Sequence, residues 1–416
     1  MSGAEVATGG AAGARQAARA NVAIAALGHF LNDLYGNIYP TLVPLLMGPL
    51  HMTVAMAAWV TSANGLTAAL LQPVWGYLAD RRGGLRVLPF ALLVGAAAVG
   101  LLGLAPSYAA LLALVFIAAA GNSAFHPPAA ALVHDSSGEA RGLWMSAFMV
   151  AGNIGRALGP TAAALAAMIA AQRSVGLVAL PGILVALWIA GAIGRAYNGR
   201  EAEGDGHTGH GAQGADARTL ARALSERGVA ALFLLLMSAS RSIVTTAVIA
   251  YLPIRYKLSG GPVLQSAAFI GVMLLAGSLG NGLGGALSDR VPRTAVVAVA
   301  SVASALFLAL FISARGPLAL VLLALAGFTA MSVSSVVIVM GQELFPDHVA
   351  TASGLVLGWG NAVASLGAGL LAFVAQTAGI DAALYASAAI AALGTPLALL
   401  FPAVRRRSLG RAGAPA

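Results

Sequence analysis

His29, Asn32, Asp33 and Asn37 interrupt a run that is otherwise apolar from Val22 to Leu50. His29 and Asp33 are four residues apart, which puts both side chains on one face of a helix. An imidazole beside a carboxylate is a proton site, because burial and neighbouring charge shift where either group ionises. The competing reading is a polar cluster that only packs helices together. Arg241, in "SASRSIVTT", shares a helical face with Ser238 and Thr245. Arg156 shares one with Asn153, and Asn32 sits beside Asp33. A guanidinium suits a phosphonate, phosphate or carboxylate, so Arg241 and Arg156 are candidate substrate ligands. Arg156 is equally suited to be the internal partner of a carboxylate. His126 precedes Pro127 and Pro128. It is expected in a broken stretch of helix, either lining a cavity or only accompanying a kink. Glu343, with Gln342, is read as a charge at headgroup level.

These groups need elements to hold them, and composition says which. Of 416 residues 59% are hydrophobic and 9% charged, against about 25% charged in a soluble domain. A span needs roughly 20 apolar residues. Twelve such segments are expected near 21–50, 56–79, 85–105, 108–132, 143–172, 174–197, 228–257, 262–288, 294–314, 317–342, 350–377 and 381–403. The roughly ten-residue alternating segments of a membrane barrel are absent. Asp33 lies about 18 Å into the first segment at 1.5 Å per residue. A charge at that depth costs on the order of 2.5–3.5 kcal/mol and must face a cavity or a partner.

The 23 basic residues set the orientation. With the N-terminus inside, 17 fall on the cytoplasmic side, 4 outside, and Arg156 and Arg241 within spans. That asymmetry places both ends in the cytoplasm, and it explains the net charge of +9 without nucleic acid. Residues 1–20 read as a cytoplasmic tail, 21–197 as one six-helix bundle, 198–227 as a polar linker, 228–403 as a second bundle and 404–416 as a basic tail. His207 and His210 in the linker could bind a metal, but solvated histidines are the reading preferred. No metal site and no cofactor is expected. With no Cys, cysteine ligands, thiol nucleophiles and disulfides are excluded.

The halves repeat. "GYLADR" at 76–81 returns as "GALSDR" at 285–290, an offset of 209, and "GNIGRALG" at 152–159 returns as "GNAVASLG" at 360–367, an offset of 208. Each pair falls at the same place in its half. The expected fold is therefore an all-α membrane protein of two pseudo-symmetric six-helix halves, with substrate held between them. Asp80 and Asp289 close their helices beside Arg81 and Arg290. An Asp–Arg pair there could lock an inner gate, or these could be helix ends with the usual basic bias. Gly152, Gly155 and Gly159 form a narrow stripe for close packing, and Pro160 is expected to bend the helix.

The segment Gly76, Leu78, Asp80, Arg81, Gly83 resembles the loop signature of the major facilitator superfamily, and Gly155, Gly159 and Pro160 resemble its antiporter motif. "GHFLNDLYGNIYPTLVPLL", "GNSAFHPPAA" and "TASGLVLGW" resemble the fosmidomycin resistance branch of drug exporters. The resemblance covers the chain after residue 20. It implies a multi-pass protein of the bacterial inner (plasma) membrane and a gating role for Gly155, Gly159 and Pro160. The expected partners are a small-molecule substrate, protons and the lipid bilayer, with the chain a monomer.

No Gly-x-x-x-x-Gly-Lys-Ser/Thr loop occurs, since the only lysine is Lys257, and no His-Glu-x-x-His pair occurs. Transport would then run on an ion gradient. The expected function is proton-coupled antiport, exporting small drug-like compounds, including fosmidomycin-like anions, by alternating access. The alternative is a metabolite or organic-anion transporter on the same fold. Rival classes are a passive channel or facilitator and a membrane enzyme using His29, Asp33 and His126.

Overall fold

A computed structural model describes the backbone over residues 3–82, 87–136, 141–203, 217–345 and 349–402. The described residues form helices joined by short turns. They are α1 (Gly3–Gly36), α2 (Tyr39–Leu46), α3 (Val54–Arg82), α4 (Val87–Leu102), α5 (Tyr108–Ser136), α6 (Arg141–Ser174) and α7 (Leu180–Glu203). There follow α8 (Ala217–Leu258), α9 (Val263–Ser288), α10 (Arg293–Ser313), α11 (Gly316–Leu344), α12 (Val349–Ala378) and α13 (Ile380–Ala392). Among the described residues nine helices are long and apolar enough to cross a membrane, and α4 is a shorter apolar helix. One of the nine, Ala147–Gly191, takes in most of two expected spans, 143–172 and 174–197. Large apolar side chains such as Phe90, Met168, Leu279 and Leu399 point outward, as hydrocarbon solvent requires.

Two expectations about helix continuity are corrected. The first span, expected unbroken over 21–50, stops at Gly36 and restarts at Tyr39. Pro40 has no N–H to return to the Gly36 carbonyl. That carbonyl accepts instead from Asn64 Nδ2 at 3.4 Å, and Asn37 Nδ2 donates to the Asp33 carbonyl at 3.0 Å. By contrast, the stretch around His126 is not broken: α5 is helical through Pro127 and Pro128. Those prolines release only the carbonyls of Ser123 and Ala124 from the ladder. In α6 the helix runs through Pro160, and the non-helical angles come ten residues later, at Ala170 and Ala171. There the Ser174 hydroxyl donates to the Ala166 carbonyl at 2.6 Å and accepts from the Ala170 N–H at 2.9 Å.

The repeat read from short motifs extends into the packing. In the first half α1 lies on α6, and in the second α8 lies on α12. His29 Nδ1 hydrogen-bonds the Phe148 carbonyl at 2.8 Å, and the Ser238 hydroxyl donates to the Val356 carbonyl at 2.8 Å. Thr41 donates to the Pro160 carbonyl, and Tyr251 donates to the Ala368 carbonyl. The acceptors 148 and 356, and 160 and 368, differ by 208, the offset of the glycine motifs. Between halves, α3 meets α12 and α6 meets α9. Trp59 lies against Gly369, and the Ala157 carbonyl lies against Gly271.

The glycine stripe of α6 serves the first of these seams, inside one half. A Cβ on Gly155 would strike the Phe30 carbonyl, one on Gly159 the Leu34 carbonyl, and one on Gly152 the His29 ring. Gly155→Val is therefore expected to destabilise by about 1–3 kcal/mol, the usual cost of overpacking. Gly282→Ala, where a Cβ meets nothing within 4 Å, should leave the melting temperature in detergent unchanged. Equal melting of the two variants would show that α1 and α6 are not in close contact.

Candidate functional site

Asp33 sits one turn before the break between α1 and α2, and its side chain is 5% exposed. Three cationic or potentially cationic groups converge on it from three helices. Arg156 of α6 donates from Nη2 to Oδ2 at 2.8 Å. His29 of α1 places Nε2 at 3.5 Å from Oδ2, and His126 of α5 places Nε2 at 3.5 Å from Oδ1. The His29 and His126 rings meet edge to face at 5.2 Å, and His29 stacks on Phe148.

The hydrogen bonds restrict where protons can sit. A carbonyl only accepts, so the bond between His29 Nδ1 and the Phe148 carbonyl puts an N–H on Nδ1. The Nε2 facing Asp33 is then a lone pair in the neutral ring and the position of the added proton in the cation. His126 Nε2 faces two different neighbours. Asn32 Nδ2 is 3.3 Å away and donates, whereas Asp33 Oδ1 is 3.5 Å away and accepts. Unprotonated, this nitrogen accepts from Asn32; protonated, it donates to Asp33. Asn32 is held for this choice by Asn122, whose amide donates to the Asn32 carbonyl at 2.7 Å while Asn32 Nδ2 also reaches the Asn122 carbonyl at 3.2 Å.

His29, Asp33 and His126 each offer one ligand atom, all within 4.8 Å of one another, a two-histidine, one-carboxylate set that could hold a divalent metal. Arg156 already occupies the carboxylate and places positive charge beside it. The arrangement as it stands is that of an ion pair with two proton acceptors rather than of a metal centre.

Accessibility divides the cluster. Arg156 has a side chain 38% exposed and His126 one 23% exposed, while Asp33 and His29 are each 5% exposed. The carboxylate is thus reached from open space by way of the guanidinium in front of it.

The other residues singled out above are distributed differently. Arg241 is buried in α8, its Nε has no hydrogen-bond partner, and it forms no ion pair among the described residues. Ser238 and Thr245 spend their hydroxyls on the carbonyls of Val356 and Ser242. Asn153 is half-buried on α6. Asp289 and Arg290 are exposed at the end of α9, and neither forms an ion pair among the described residues. The side chains of Asp80 and Arg81, and residues 404–416, His207 and His210, lie outside the described residues. Glu343 pairs with Arg293 of α10 and so stays away from the central cluster.

Sequence reasoning missed Asn122, Phe148 and Asn361. Asn361 is exposed on α12, and its Oδ1 accepts from Ser242 at 3.0 Å. A signal for it existed, since Asn361 repeats Asn153 at the offset of 208. Phe148 acts through its backbone and ring face, which no residue pattern announces.

Fold and site together describe a membrane transporter with an ionisable cluster inside its spans. The family profile described as the Major Facilitator Superfamily matches residues 25–368, and the chain belongs to that superfamily. Its members are transporters and not enzymes. The chain is 30% identical over 393 residues to YfnC, an uncharacterized MFS-type transporter of Bacillus subtilis, covering 90% of each chain. It is 29% identical over 360 residues to the Fosmidomycin resistance protein of Escherichia coli, covering 85% of this chain and 86% of that one. Among solved structures, a bacterial homolog of the human lysosomal transporter Spinster, inward-facing and unoccupied, aligns with a TM-score of 0.74 at 15% identity, covering 96% of this chain and 99% of the other. The nucleoside transporter NupG aligns at 0.68 and 16% identity, covering 92% and 98%. These two share the fold.

Removing Arg156 leaves a buried carboxylate without its strongest partner. Such losses reach roughly 3–5 kcal/mol for fully buried pairs. Because this guanidinium is partly exposed, Arg156→Gln should cost about 1–3 kcal/mol. Adding Asp33→Asn should recover part of that cost, which a double-mutant cycle on melting in detergent reads as coupling. Strictly additive effects would mean that the pair carries no mutual energy.

Proposed function

We propose that this transporter is proton-coupled and works as an antiporter exporting small drug-like compounds, from a bacterial inner membrane with both termini cytoplasmic. One observation carries the proton role: two imidazole nitrogens and a guanidinium all address the single carboxylate of Asp33 inside the spans. A proton on Asp33 removes the charge that holds Arg156, whose side chain is partly exposed. Loss of the proton restores the pair. His29 Nε2 and His126 Nε2 are placed to pass that proton to and from the carboxylate. One network with two arrangements is the kind of bistable element that alternating access requires. The export reading draws on the relative in Escherichia coli, whose name states resistance to fosmidomycin. The cytoplasmic excess of basic residues supports the orientation. Asp80–Arg81 and Asp289–Arg290 are proposed as the inner gate, with Gly155, Gly159 and Pro160 as the part of α6 that moves against α1.

A second reading is an organic-anion or metabolite transporter on the same fold. The observation that favours it is Arg241, a buried cation whose Nε has no hydrogen-bond partner and which forms no ion pair among the described residues.

In proteoliposomes with an imposed pH gradient, efflux of fosmidomycin should depend on the gradient. Asp33→Asn should abolish that dependence while the protein still folds and inserts. Gradient-driven flux surviving in the variant would remove Asp33 from the coupling. Equilibration that ignores the gradient would make the protein a facilitator.

A further inference from the structure

The break that ends α1 has a small chamber behind it. Asn32, Gly36 and Tyr39 around the break, Asn64 of α3, Gly95 of α4 and Asn122 of α5 line a cavity of about 10 Å³. That is room for one water or one small ion.

The chamber is walled by acceptors. Asn32 Nδ2 is committed to the Asn122 carbonyl and to His126, Asn122 Nδ2 to the Asn32 carbonyl, and Asn64 Nδ2 to the Gly36 carbonyl. Donation to carbonyls fixes which end of each amide is the oxygen. The three Oδ1 atoms accept no hydrogen bond among the described residues. Tyr39 is 2% exposed, and its hydroxyl has no partner among them either. The Gly36 carbonyl, released because Pro40 has no N–H, receives only the long contact from Asn64 at 3.4 Å. A water has two protons to donate and cannot answer all of these oxygens, whereas a cation can be shared by every one. α1 also ends here, so the partial negative charge of its C-terminus lies at the cavity. Freed carbonyls and a helix C-terminal end are cation ligands in an interrupted span.

Two glycines shape the wall. A Cβ on Gly36 would stand 3.1 Å from Asn122 Nδ2, so that amide lies across the break because no side chain is in its way. A Cβ on Gly95 would meet nothing nearer than 3.6 Å. Position 95 therefore has room for a methyl group that it does not carry.

We propose that this chamber binds one dehydrated alkali-metal cation, sodium or potassium, through Oδ1 of Asn32, Asn64 and Asn122, the Gly36 carbonyl and the Tyr39 hydroxyl. No carboxylate lines it, so the oxygens are all neutral and suit a single positive charge rather than a divalent ion. The ion would tie the end of α1 to α3 and α5. It would also hold Asn32, whose Nδ2 faces His126, one side chain away from the Asp33 cluster. The site goes beyond the coupling reading above and does not rest on it.

At equal ionic strength, the full-length protein in neutral detergent should melt about 2 °C or more higher in sodium or potassium chloride than in choline chloride, whose cation is too large for the chamber. The alkali ion that gives the larger shift is the one the site selects. Gly95→Ala, which adds a methyl group to the cavity wall without a clash, should fold and lose that shift. Tyr39→Phe, which removes one ligand, should raise the salt concentration needed for half the shift by about tenfold. Equal melting in all three salts would overturn the proposal and leave the chamber to a water. So would a shift that both variants keep in full. Melting needs no flux, so the two readings fail separately. A cation shift in a protein without gradient-driven transport would refute the coupling and leave this site standing; gradient-driven transport without the shift would do the reverse.

Discussion

The structure turns on one carboxylate that has to exist inside an apolar bundle. An ionised Asp at mid-span is tolerated only if the protein brings compensating charge and hydrogen bonds to it. Here α5 and α6 supply His126 and Arg156, and α1 itself supplies His29. That requirement explains other local features. α6 is stripped to glycine where it faces α1, because Arg156 reaches Asp33 only if the two helices approach closely. Asn32 and Asn122 exchange hydrogen bonds with each other's backbone, which fixes α5 against α1 and aims His126 at the same acid.

Duplication gives this constraint a second consequence. Two halves with one backbone plan put matching positions at matching depths, so a polar residue at one has a structural address in the other. The seam contacts pair His29 with Ser238 and Leu34 with Ile243, so the address of Asp33 is filled in the second half by Ser242, with Arg241 one residue before it. Asp33 is held by an ion pair and Ser242 by a neutral hydrogen bond to Asn361. A symmetric scaffold thereby carries an asymmetric charge distribution, with an ion pair in one half and, among the described residues, a buried arginine that forms no ion pair in the other.

Much of this is legible in the residues themselves. The i, i+4 pair of His29 and Asp33, the two spans bearing arginine, the repeat motifs and the polar linker all follow from spacing and composition. The break after Asp33 is not legible in the same way, because hydropathy averages over it. It arises from a proline that costs one backbone bond and an asparagine side chain that replaces it. Adjacent prolines usually break helices, so the pattern around His126 suggests a break, yet α5 absorbs both. Glu343 does stay clear of the central cluster, but residue spacing gives no means of naming its partner Arg293.

Sequence alone determined that this is a membrane bundle in two related halves, because hydrocarbon solvent forces long apolar helices and duplication leaves a constant offset. It also determined which ionisable groups lie within the spans, since burying charge in lipid is costly enough to make each exception conspicuous. Tertiary structure decided the pairing. Arg156 and Arg241 are equivalent candidates for Asp33 as long as only their types and depths are known. Which one reaches the acid depends on which helix packs against α1, and that is set by glycines and carbonyls at a seam between segments more than a hundred residues apart.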